Sequence, residues 1–239
     1  DIVSPNERYS VSNFKNDAEL AIEEILKKGK TPIIVGGTGL YIDSLIYGIE
    51  FQDEEIDTEY REKLNKIAEN EGLEKLYNKA KEIDPEAMKK ISINDKKRII
   101  RVLEIYHKTG KTKTKQEIES RKKELKYNFK VFAIDMDREK LYSRIEKRVD
   151  MMVDEGLIGE VKGILEKYNQ FPTAMQGLGY KETVEYLQNK ISKEEMIEKI
   201  KKETRHYAKR QLTWFRKNKT TIWLDGEKEP EENVKLILM

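Results

Sequence analysis

The fold of this chain is indicated by residues 31–46, whose sequence is TPIIVGGTGLYIDSLI. The apolar and β-branched residues 31–35 predict a short buried strand, and residues 36–39 predict a tight loop. We call residues 36–39 the glycine loop. Residues 40–46 then predict a helix. A strand, a glycine loop and a helix in this order are typical of the α/β fold class.

The segments on either side extend this pattern. Upstream, apolar residues at helical spacing end at Gly29. Downstream, residues 130–135 and 221–225 predict two further strands, and a long helix is predicted from a capping box at Ser192 to about Arg216. Candidate N-caps for the upstream helix are Ser10, Ser12 and Asn13.

A change of composition divides the chain. From residue 53 the sequence consists of polar helix formers with sparse apolar anchors and no strand pattern. We therefore predict a first core part in residues 1–52, an all-helical insertion in residues 53–118, and a second core part in residues 119–239. The two core parts together are expected to form one α/β domain with a parallel sheet.

Composition excludes several classes of protein. The 239 residues include 47 Lys and Arg, 45 Asp and Glu, and no Cys. A disulfide scaffold, a thiolate zinc site and a cysteine nucleophile are therefore excluded, and a reducing, cytoplasmic location is expected. The longest apolar runs are far too short to span a bilayer, so we expect no contact with a membrane.

Two basic tracts lie within this nearly neutral chain. Residues 89–130 hold 15 Lys and Arg against 5 Asp and Glu, and residues 199–219 hold 9 Lys and Arg against Glu203 alone. On a helical wheel, the second tract aligns cations within about 60° of one another. We call this set the basic stripe; its members are Lys202, Arg205, Lys209 and Arg216.

The stripe has two interpretations. Lys-rich helix faces are usually only solvated, which is one interpretation of each tract. Trp214 and Tyr207 beside the cations supply planar groups for stacking, and that combination favours an RNA-binding surface.

The glycine loop is equally open to interpretation. It lets the backbone approach a ligand closely, and the helix that follows favours anionic or polar groups. It lacks both the Gly-Lys-Ser/Thr ending of a phosphate-binding P-loop and the Gly-x-Gly-x-x-Gly spacing of a dinucleotide site. A structural turn is the alternative. His107 and His206 are not at metal-ligand spacing with carboxylates, so no metal site is expected.

Several segments, in the same order, resemble one family, the bacterial tRNA dimethylallyltransferases, also called tRNA isopentenyltransferases. The segments that carry this resemblance are residues 1–5 with Tyr9 and Ser10, residues 29–41, residues 94–104, residues 175–182 and residues 204–216. The last segment is long and specific, and together the segments cover almost the whole chain.

The resemblance implies a fold and an activity. The fold is a P-loop-kinase-like α/β core with an all-helical insertion that binds tRNA. The activity is transfer of a dimethylallyl group from dimethylallyl diphosphate to the exocyclic amine of the adenosine adjacent to the anticodon. The partners implied are the anticodon stem-loop of tRNA and dimethylallyl diphosphate. Mg²⁺ is implied as a cofactor with no ligands in this chain, and we expect a monomer.

The resemblance also implies roles for individual residues. Thr38 helps to position the target adenine, Arg205 helps to hold the diphosphate, and Gly36 and Gly37 contact the substrate. The residues implied to contact tRNA are Arg61, Lys97, Arg98, Arg101, Gln176, Gly179, Tyr180, Lys181, Lys209, Arg210, Gln211, Thr213, Trp214 and Arg216. Because an adenine stacked in a loop is inaccessible, we expect it to be flipped out. The basic stripe is expected to guide it to a pocket beside Thr38.

This chain departs from the family at several points. The phosphate-binding loop and the Asp that acts as general base are expected upstream of Asp1, which suggests an N-terminal truncation. Lys97 stands where Gln is usual, and Gly177 where Ala is common. The absence of Cys fits the bacterial type, since eukaryotic members carry a zinc-finger tail.

Two alternative functions remain. The chain could be a non-catalytic tRNA-binding fragment, because it retains the tRNA-binding segments without the phosphate loop. It could instead transfer the prenyl group to free adenine nucleotides, an alternative that the basic tracts disfavour because such a reaction needs no RNA surface.

Overall fold

A computed structural model of the protein describes residues 2–49, 57–121 and 125–238, and these residues form helices and one two-stranded sheet. The helices are α1 (Val11–Lys27), α2 (Gly39–Ile46), α3 (Thr58–Asn70), α4 (Leu73–Ile83), α5 (Pro85–Met88), α6 (Lys96–Thr109), α7 (Lys113–Arg121), α8 (Arg138–Asp154), α9 (Leu157–Lys167), α10 (Tyr180–Leu187), α11 (Lys193–Phe215) and α12 (Pro230–Leu238). The strands are β1 (Phe132–Asp135) and β2 (Ile222–Asp225).

The strands β1 and β2 run parallel and pair Phe132 with Ile222 through to Asp135 with Asp225. Gly226 follows β2 and donates a backbone hydrogen bond of 2.7 Å to the carbonyl of Asp135. A parallel pair joined by helices is the arrangement that an α/β fold requires. The prediction of an α/β fold with a parallel sheet is therefore confirmed.

The chain forms two compact units. Unit 1 comprises the described residues up to Ile42 and those from Asn128 onward, and unit 2 runs from Asp43 to Tyr127. The sequence-based boundaries were placed at residues 53 and 118, and the boundary at Ile42 lies within α2.

Unit 1 is held by helices that pack their apolar sides together. Its buried cluster takes residues from α8, α9 and α11: Val149, Val153, Leu157, Val161, Met196 and Ile200. The helices begin where their caps predict: Ser10 and Ser192 each form a capping box with the residue three positions on, Asn13 and Glu195. These caps fix the first turns of α1 and of α11, the helix that carries the second basic tract.

Unit 2 is helical and has a core of its own. Residues from α3, α4, α5 and α6 form the buried cluster, in which Leu64, Leu76, Ile99 and Leu103 are almost fully buried. The left-handed Gly110 ends α6, as predicted for a helix C-terminus. The helical character predicted for the insertion agrees with these elements.

Asp84 connects two of the helices of unit 2. Its carboxylate accepts hydrogen bonds from the amide of Ala87, at 3.0 Å, and from the amide and hydroxyl of Thr114, at 2.8 and 2.6 Å. Burial would raise the pKa of this carboxyl, but the hydrogen bonds from Thr114 and Ala87 lower it below its ordinary value. The N-terminus of α7 is thereby attached to α5.

The predicted buried strand at residues 31–35 is wrong. The segment is not part of a strand, and the exposed fractions of Ile33 and Val35 are 78% and 91%. Apolar β-branched residues favour an extended backbone, but a strand also needs a neighbour to supply hydrogen bonds. Within the described part of the chain, β1 and β2 pair with each other and residues 31–35 make no backbone hydrogen bond.

Candidate functional site

The glycine loop is held from two sides in unit 1. The carbonyl of Thr38 accepts the amides of Tyr41 and Ile42, at 2.9 and 3.1 Å, and so begins α2. The carbonyl of Gly37 accepts a hydrogen bond of 2.8 Å from the side-chain amide of Gln211, on α11. The Thr38 residue is exposed, and its hydroxyl makes no hydrogen bond to the residues that the structure describes. That hydroxyl is therefore available to a ligand.

Two glycines of this loop, Gly37 and Gly39, pack closely against α11, whereas a Cβ atom at Gly36 would meet nothing within 4 Å. A Cβ atom at Gly37 would lie 2.1 Å from Nε2 of Gln211, and one at Gly39 would lie 2.4 Å from Cδ1 of Trp214. Neither glycine has a positive φ, so backbone conformation does not explain them. The sequence suggested that the loop lets its backbone approach a ligand; at Gly37 and Gly39 the structure shows it approaching α11.

Aromatic stacking supports the start of α2 behind the loop. The rings of Phe14, on α1, and Tyr41, on α2, are stacked with centroids 4.4 Å apart. Burial raises the pKa of Tyr41 above its ordinary value. Tyr9 donates a hydrogen bond of 2.7 Å to Asp17, and burial together with this acceptor raises the pKa of Tyr9 to about 12. Both phenols are therefore neutral near pH 7.

Arg205 projects from α11 towards α8. Its Nη1 donates to Oε1 of Glu146 at 2.7 Å, and its guanidinium carbon lies 5.9 Å from the centroid of the Tyr142 ring. Arg138 approaches the same ring at 5.2 Å and donates to the Tyr142 hydroxyl at 3.1 Å. Two guanidinium groups thus lie near one aromatic ring, and one of them is paired with a carboxylate. Their net positive charge suits the site to a polyanion such as a diphosphate.

The basic stripe is solvent-facing, as its use by a ligand requires. Lys202, Lys209 and Arg216 are exposed, and Arg205 is half-buried against α8. Within the described ranges, neither Lys202 nor Lys209 forms an ion pair. Arg216 contacts Asp135 at 3.1 Å and lies 5.7 Å from the Trp223 ring.

The stripe does not face the glycine loop. At about 100° per residue, Trp214 lies about 180° and Gln211 about 240° around α11 from Arg205. The residues that contact the loop are thus on the other side of the helix from the stripe, because the loop packs on the half-buried face. The sequence led us to expect that the stripe guides the adenine to a pocket beside Thr38; in the structure the stripe points away from that residue.

Among the other predicted tRNA contacts on α11, Arg210 and Thr213 are exposed. The guanidinium of Arg210 lies 5.9 Å from the Tyr207 ring, and in the part of the chain described by the structure it has no carboxylate partner. Gln211 and Trp214 are half-buried by the loop. On α11, exposed Arg210 and Thr213 therefore differ from Gln211 and Trp214, which are half-buried and contact the loop.

The turn before α10 places its predicted residues in different environments. Gln176 and Lys181 are exposed, whereas Gly179 is buried and has a φ of +89°, which glycine adopts at low cost. The amide of Gly179 donates to the buried carboxylate of Glu182 at 2.9 Å. A hydrogen bond from the Tyr180 hydroxyl to Glu160, together with burial, raises the Tyr180 pKa to about 12.

The predicted tRNA-contacting arginines of unit 2 are paired with carboxylates. Arg61 binds Glu104 through Nε and Nη2, the latter at 2.8 Å, and the Glu104 side chain is only 8% exposed. Arg101 approaches the same carboxylate at 3.8 Å, and Arg98 approaches Asp95 at 3.2 Å. Hydrogen bonding to Glu104 raises the pKa of Arg61. Lys97, the remaining predicted contact on α6, is exposed.

Sequence reasoning missed the carboxylates that hold these arginines. Glu104 lies 43 positions from Arg61, and Glu146 lies 59 positions from Arg205. No local spacing pattern connects residues so far apart. The one available signal was that Glu104 falls among the apolar positions of α6, a helix whose other buried residues are aliphatic.

Comparisons with known proteins identify the family. The parallel strand pair and the helices place the chain in the α/β fold class. A sequence model of the family described as IPP transferase matches residues 1–218. The chain belongs to the IPP transferase family.

Two relatives from bacteria are called tRNA dimethylallyltransferase. The one from Acetivibrio thermocellus is 50% identical over 228 residues, which are 95% of this chain and 73% of the relative. The one from Desulforamulus reducens is 44% identical over 228 residues, covering 95% of this chain and 81% of the relative.

Solved structures agree with these relatives. The tRNA isopentenylpyrophosphate transferase of Bacillus halodurans matches with a TM-score of 0.67 and 36% identity, over 99% of this chain and 74% of that one. A eukaryotic dimethylallyltransferase acting on tRNA matches with a TM-score of 0.72 and 29% identity, over 99% of this chain and 62% of that one. Within the described residues, no helix has the length and apolar character to cross a membrane.

Proposed function

We propose that this protein transfers a dimethylallyl group from dimethylallyl diphosphate to the exocyclic amine of the adenosine adjacent to the anticodon of tRNA. The family and the relatives called tRNA dimethylallyltransferase support transfer of this group to tRNA. The observation that carries the proposal in the structure is exposed Thr38, whose hydroxyl has no hydrogen-bond partner among the described residues, on a loop held by the backbone of α2 and by the Gln211 side chain of α11.

The reaction makes three demands on the protein. The lone pair of the adenine amine forms a bond to the allylic carbon while the bond from that carbon to oxygen breaks, and diphosphate leaves with the electron pair. An exocyclic amine is a poor nucleophile. The protein must therefore align the amine with the carbon, stabilise the departing charge, and provide for loss of the amine proton.

Thr38 is proposed to meet the first demand. Its hydroxyl can both donate and accept a hydrogen bond, as recognition of an adenine edge requires. Its backbone is fixed by the start of α2 and by the contact with Gln211, so the Cα–Cβ bond that carries the hydroxyl has a defined direction. Gly36 and Gly37 are proposed to line the substrate beside it.

Arg205 is proposed to meet the second demand. A guanidinium offers planar paired donors that match two phosphate oxygens. Glu146 holds this group in place before substrate binds, and Tyr142 supports its face. A diphosphate carries more negative charge than the carboxylate, so it competes for the same donors. When dimethylallyl diphosphate binds, its phosphate oxygens would therefore replace the Glu146 carboxylate on Arg205 or bind beside it.

Removal of the proton is not assigned to any residue in the described ranges. Mg²⁺ is proposed to accompany the diphosphate, on the basis of the family resemblance alone. The described residues contain no group of three or more carboxylates or imidazoles that could hold a metal ion, so no step is derived through it.

The tRNA is proposed to bind through cations on both units, although their environments differ. On α11, exposed Lys209 and Arg210 offer charges with no carboxylate partner in the described ranges. On the helical wheel Lys209 lies about 140° or more from Gln211 and Trp214, so it is suited to the phosphate backbone and not to the base, whereas Arg210 lies about 40° from Trp214. The other proposed contacts are Arg61, Lys97, Arg98, Arg101, Gln176, Gly179, Tyr180, Lys181, Thr213 and Arg216.

The experiment is an assay of full-length protein with tRNA and dimethylallyl diphosphate, followed by digestion and mass analysis of the nucleosides. We expect dimethylallyl-adenosine from wild type and at least a tenfold lower rate from Thr38→Val, which removes the hydroxyl and keeps the shape. Thr31→Val, another exposed threonine that makes no hydrogen bond to the described residues, is the matched control and should retain the rate. Equal rates for the two variants would remove Thr38 from the site.

A further inference from the structure

We propose that Gln211 and Trp214 are positioning residues that set the orientation of Thr38, and are not contacts to tRNA. The proposal rests on the proposed function, because it assigns to Thr38 the role of aligning the acceptor. It reassigns two residues that the family resemblance placed on the tRNA surface.

Gln211 fixes a particular peptide group. The carbonyl that its Nε2 atom binds at 2.8 Å belongs to Gly37, and the amide nitrogen of that same planar group belongs to Thr38. A donor held on the carbonyl therefore resists rotation of the peptide plane that leads into Thr38. No other described donor binds this carbonyl.

Trp214 contacts the residue on the other side of Thr38. Its indole ring lies so close to the backbone of Gly39 that a Cβ there would come within 2.4 Å of Cδ1, 2.5 Å of Cγ and 2.6 Å of Nε1. An indole ring is rigid, so it sets the distance between the first turn of α2 and α11. The residues that flank Thr38 on each side thus both contact α11.

The same helix also carries Arg205. Arg205 and Gln211 are six residues apart in α11, which is about 9 Å along a helix axis. A single rigid element therefore relates the residue proposed to hold the leaving group to the residues that orient Thr38. Since a displacement of about 1 Å can cost on the order of 100-fold in rate, a loosened contact lowers turnover without removing any group from the reaction.

Gln211 and Trp214 are poorly placed to contact tRNA. Gln211 and Trp214 are half-buried, and they lie about 120° or more around the helix from the basic stripe. Their neighbours Lys209, Arg210 and Thr213 are exposed. One N–H of the Gln211 amide binds the Gly37 carbonyl, and this bond holds the amide against the loop.

The first test separates turnover from tRNA binding. Gln211→Glu keeps the shape but replaces the donor with a carboxylate that repels the Gly37 carbonyl. We expect kcat to fall about 10- to 100-fold, with KM for tRNA within twofold of wild type. Arg210→Gln, one residue away, should show the opposite split, a raised KM and little change in kcat. A Gln211→Glu variant with raised KM and unchanged kcat overturns the proposal.

The second test asks whether Gln211 acts through Thr38. In a Thr38→Val background the hydroxyl is gone, so its orientation no longer matters. Gln211→Glu should then lower kcat by less than twofold further. Two effects that multiply in full would show that Gln211 acts elsewhere, and that result also overturns the proposal.

The third test uses the close approach at Gly39. Gly39→Ala pushes the ring of Trp214 away, and Trp214→Leu opens space for the added methyl group. Each single variant should lower kcat about tenfold or more, whereas the double variant should be no slower than the worse single. A double variant with the product of both losses contradicts a shared contact.

A final measurement distinguishes failure of this inference from failure of the proposed function. Wild type that modifies no tRNA would refute the function. Hydrogen exchange at the Thr38 and Gly39 amides needs no reaction and reports the loop directly. Gln211→Glu should raise that exchange at least fivefold while the global melting temperature stays within about 2 °C. Unchanged exchange, or a global loss of stability with normal kcat per folded molecule, refutes the inference alone.

Discussion

Three arginines of unit 2, Arg61, Arg98 and Arg101, and the two cations Lys209 and Arg210 of α11 all lie in basic or predicted tRNA-binding stretches of the sequence, yet the structure holds the two sets differently. In unit 2, Arg61 and Arg101 meet the buried carboxylate of Glu104, and Arg98 meets Asp95. On α11, Lys209 and Arg210 are exposed and have no carboxylate partner among the described residues. Excess positive charge along a sequence therefore does not reveal which cations a phosphate can use, because that depends on carboxylates far away in the chain.

Arg205 belongs to α11, like Lys209 and Arg210, but is paired with a carboxylate, that of Glu146, like the arginines of unit 2. Its replacement should have the largest effect on kcat. Arg205→Ala removes the proposed stabilisation of the leaving group, and kcat should fall about 10²- to 10³-fold with tRNA affinity unchanged. Steady-state kinetics and tRNA titration measure both. Lys162→Ala, an exposed cation on α9, should leave kcat at the wild-type value.

Arg61 should prove mainly structural. Arg61→Gln removes a bidentate partner from a carboxylate that is 8% exposed, so it should lower the free energy of unfolding by about 2 kcal/mol. Urea denaturation followed by circular dichroism measures the change. Lys63→Gln, on the same helix, should shift stability by less than about 0.5 kcal/mol. A stable Arg61→Gln protein with weakened tRNA binding would show that the contact with RNA is direct.

The cations on α11 should show the reverse behaviour. Replacing Lys209 and Arg210 by Gln should weaken tRNA binding and reduce the slope of log affinity against log salt by about 1 for each cation. Stability should not change, because neither charge is paired with a carboxylate in the described structure. Replacing Arg98 and Arg101 by Gln should reduce the slope less, since Asp95 and Glu104 already neutralise them. Equal losses of slope would remove the distinction between the two regions.

Asp84 gives a smaller, pH-dependent effect confined to unit 2. Its folded pKa lies below the ordinary value, so its contribution to stability is present above the unfolded pKa of about 3.9 and is lost as pH falls through the folded pKa. Asp84→Asn should destabilise the protein by about 1–2 kcal/mol at pH 7 and weaken the dependence of stability on acid pH. Unfolding free energies between pH 2 and 7 test this expectation. The same loss of unfolding free energy at acid pH in wild type and in Asp84→Asn would refute it.

Local features of the fold could be predicted from the sequence. The candidate N-cap Ser10 and the capping box at Ser192 depend on neighbouring residues and are confirmed. The strands β1 and β2 are short apolar runs that pair with each other in the sheet. Residues 31–35 have the same composition without a described partner, so their propensity alone did not make a strand.

Other features needed the three-dimensional structure. The helix α7 lies in a charged segment with weak apolar periodicity, and its N-terminus is attached through Asp84, 30 positions away. The sequence indicated the importance of the glycine loop but not why Gly37 and Gly39 are required, since their neighbours Gln211 and Trp214 are about 170 positions further along. Predicting such contacts requires knowing which helices pack together.

This protein is proposed to modify an adenosine of tRNA by dimethylallyl transfer. Mass analysis of nucleosides from tRNA incubated with dimethylallyl diphosphate and the full-length wild-type protein, beside Arg205→Ala, tests this proposal. We expect dimethylallyl-adenosine at the position adjacent to the anticodon with wild type, and formation at least 100-fold slower with the variant. Unmodified tRNA with folded, tRNA-bound wild-type protein would contradict it.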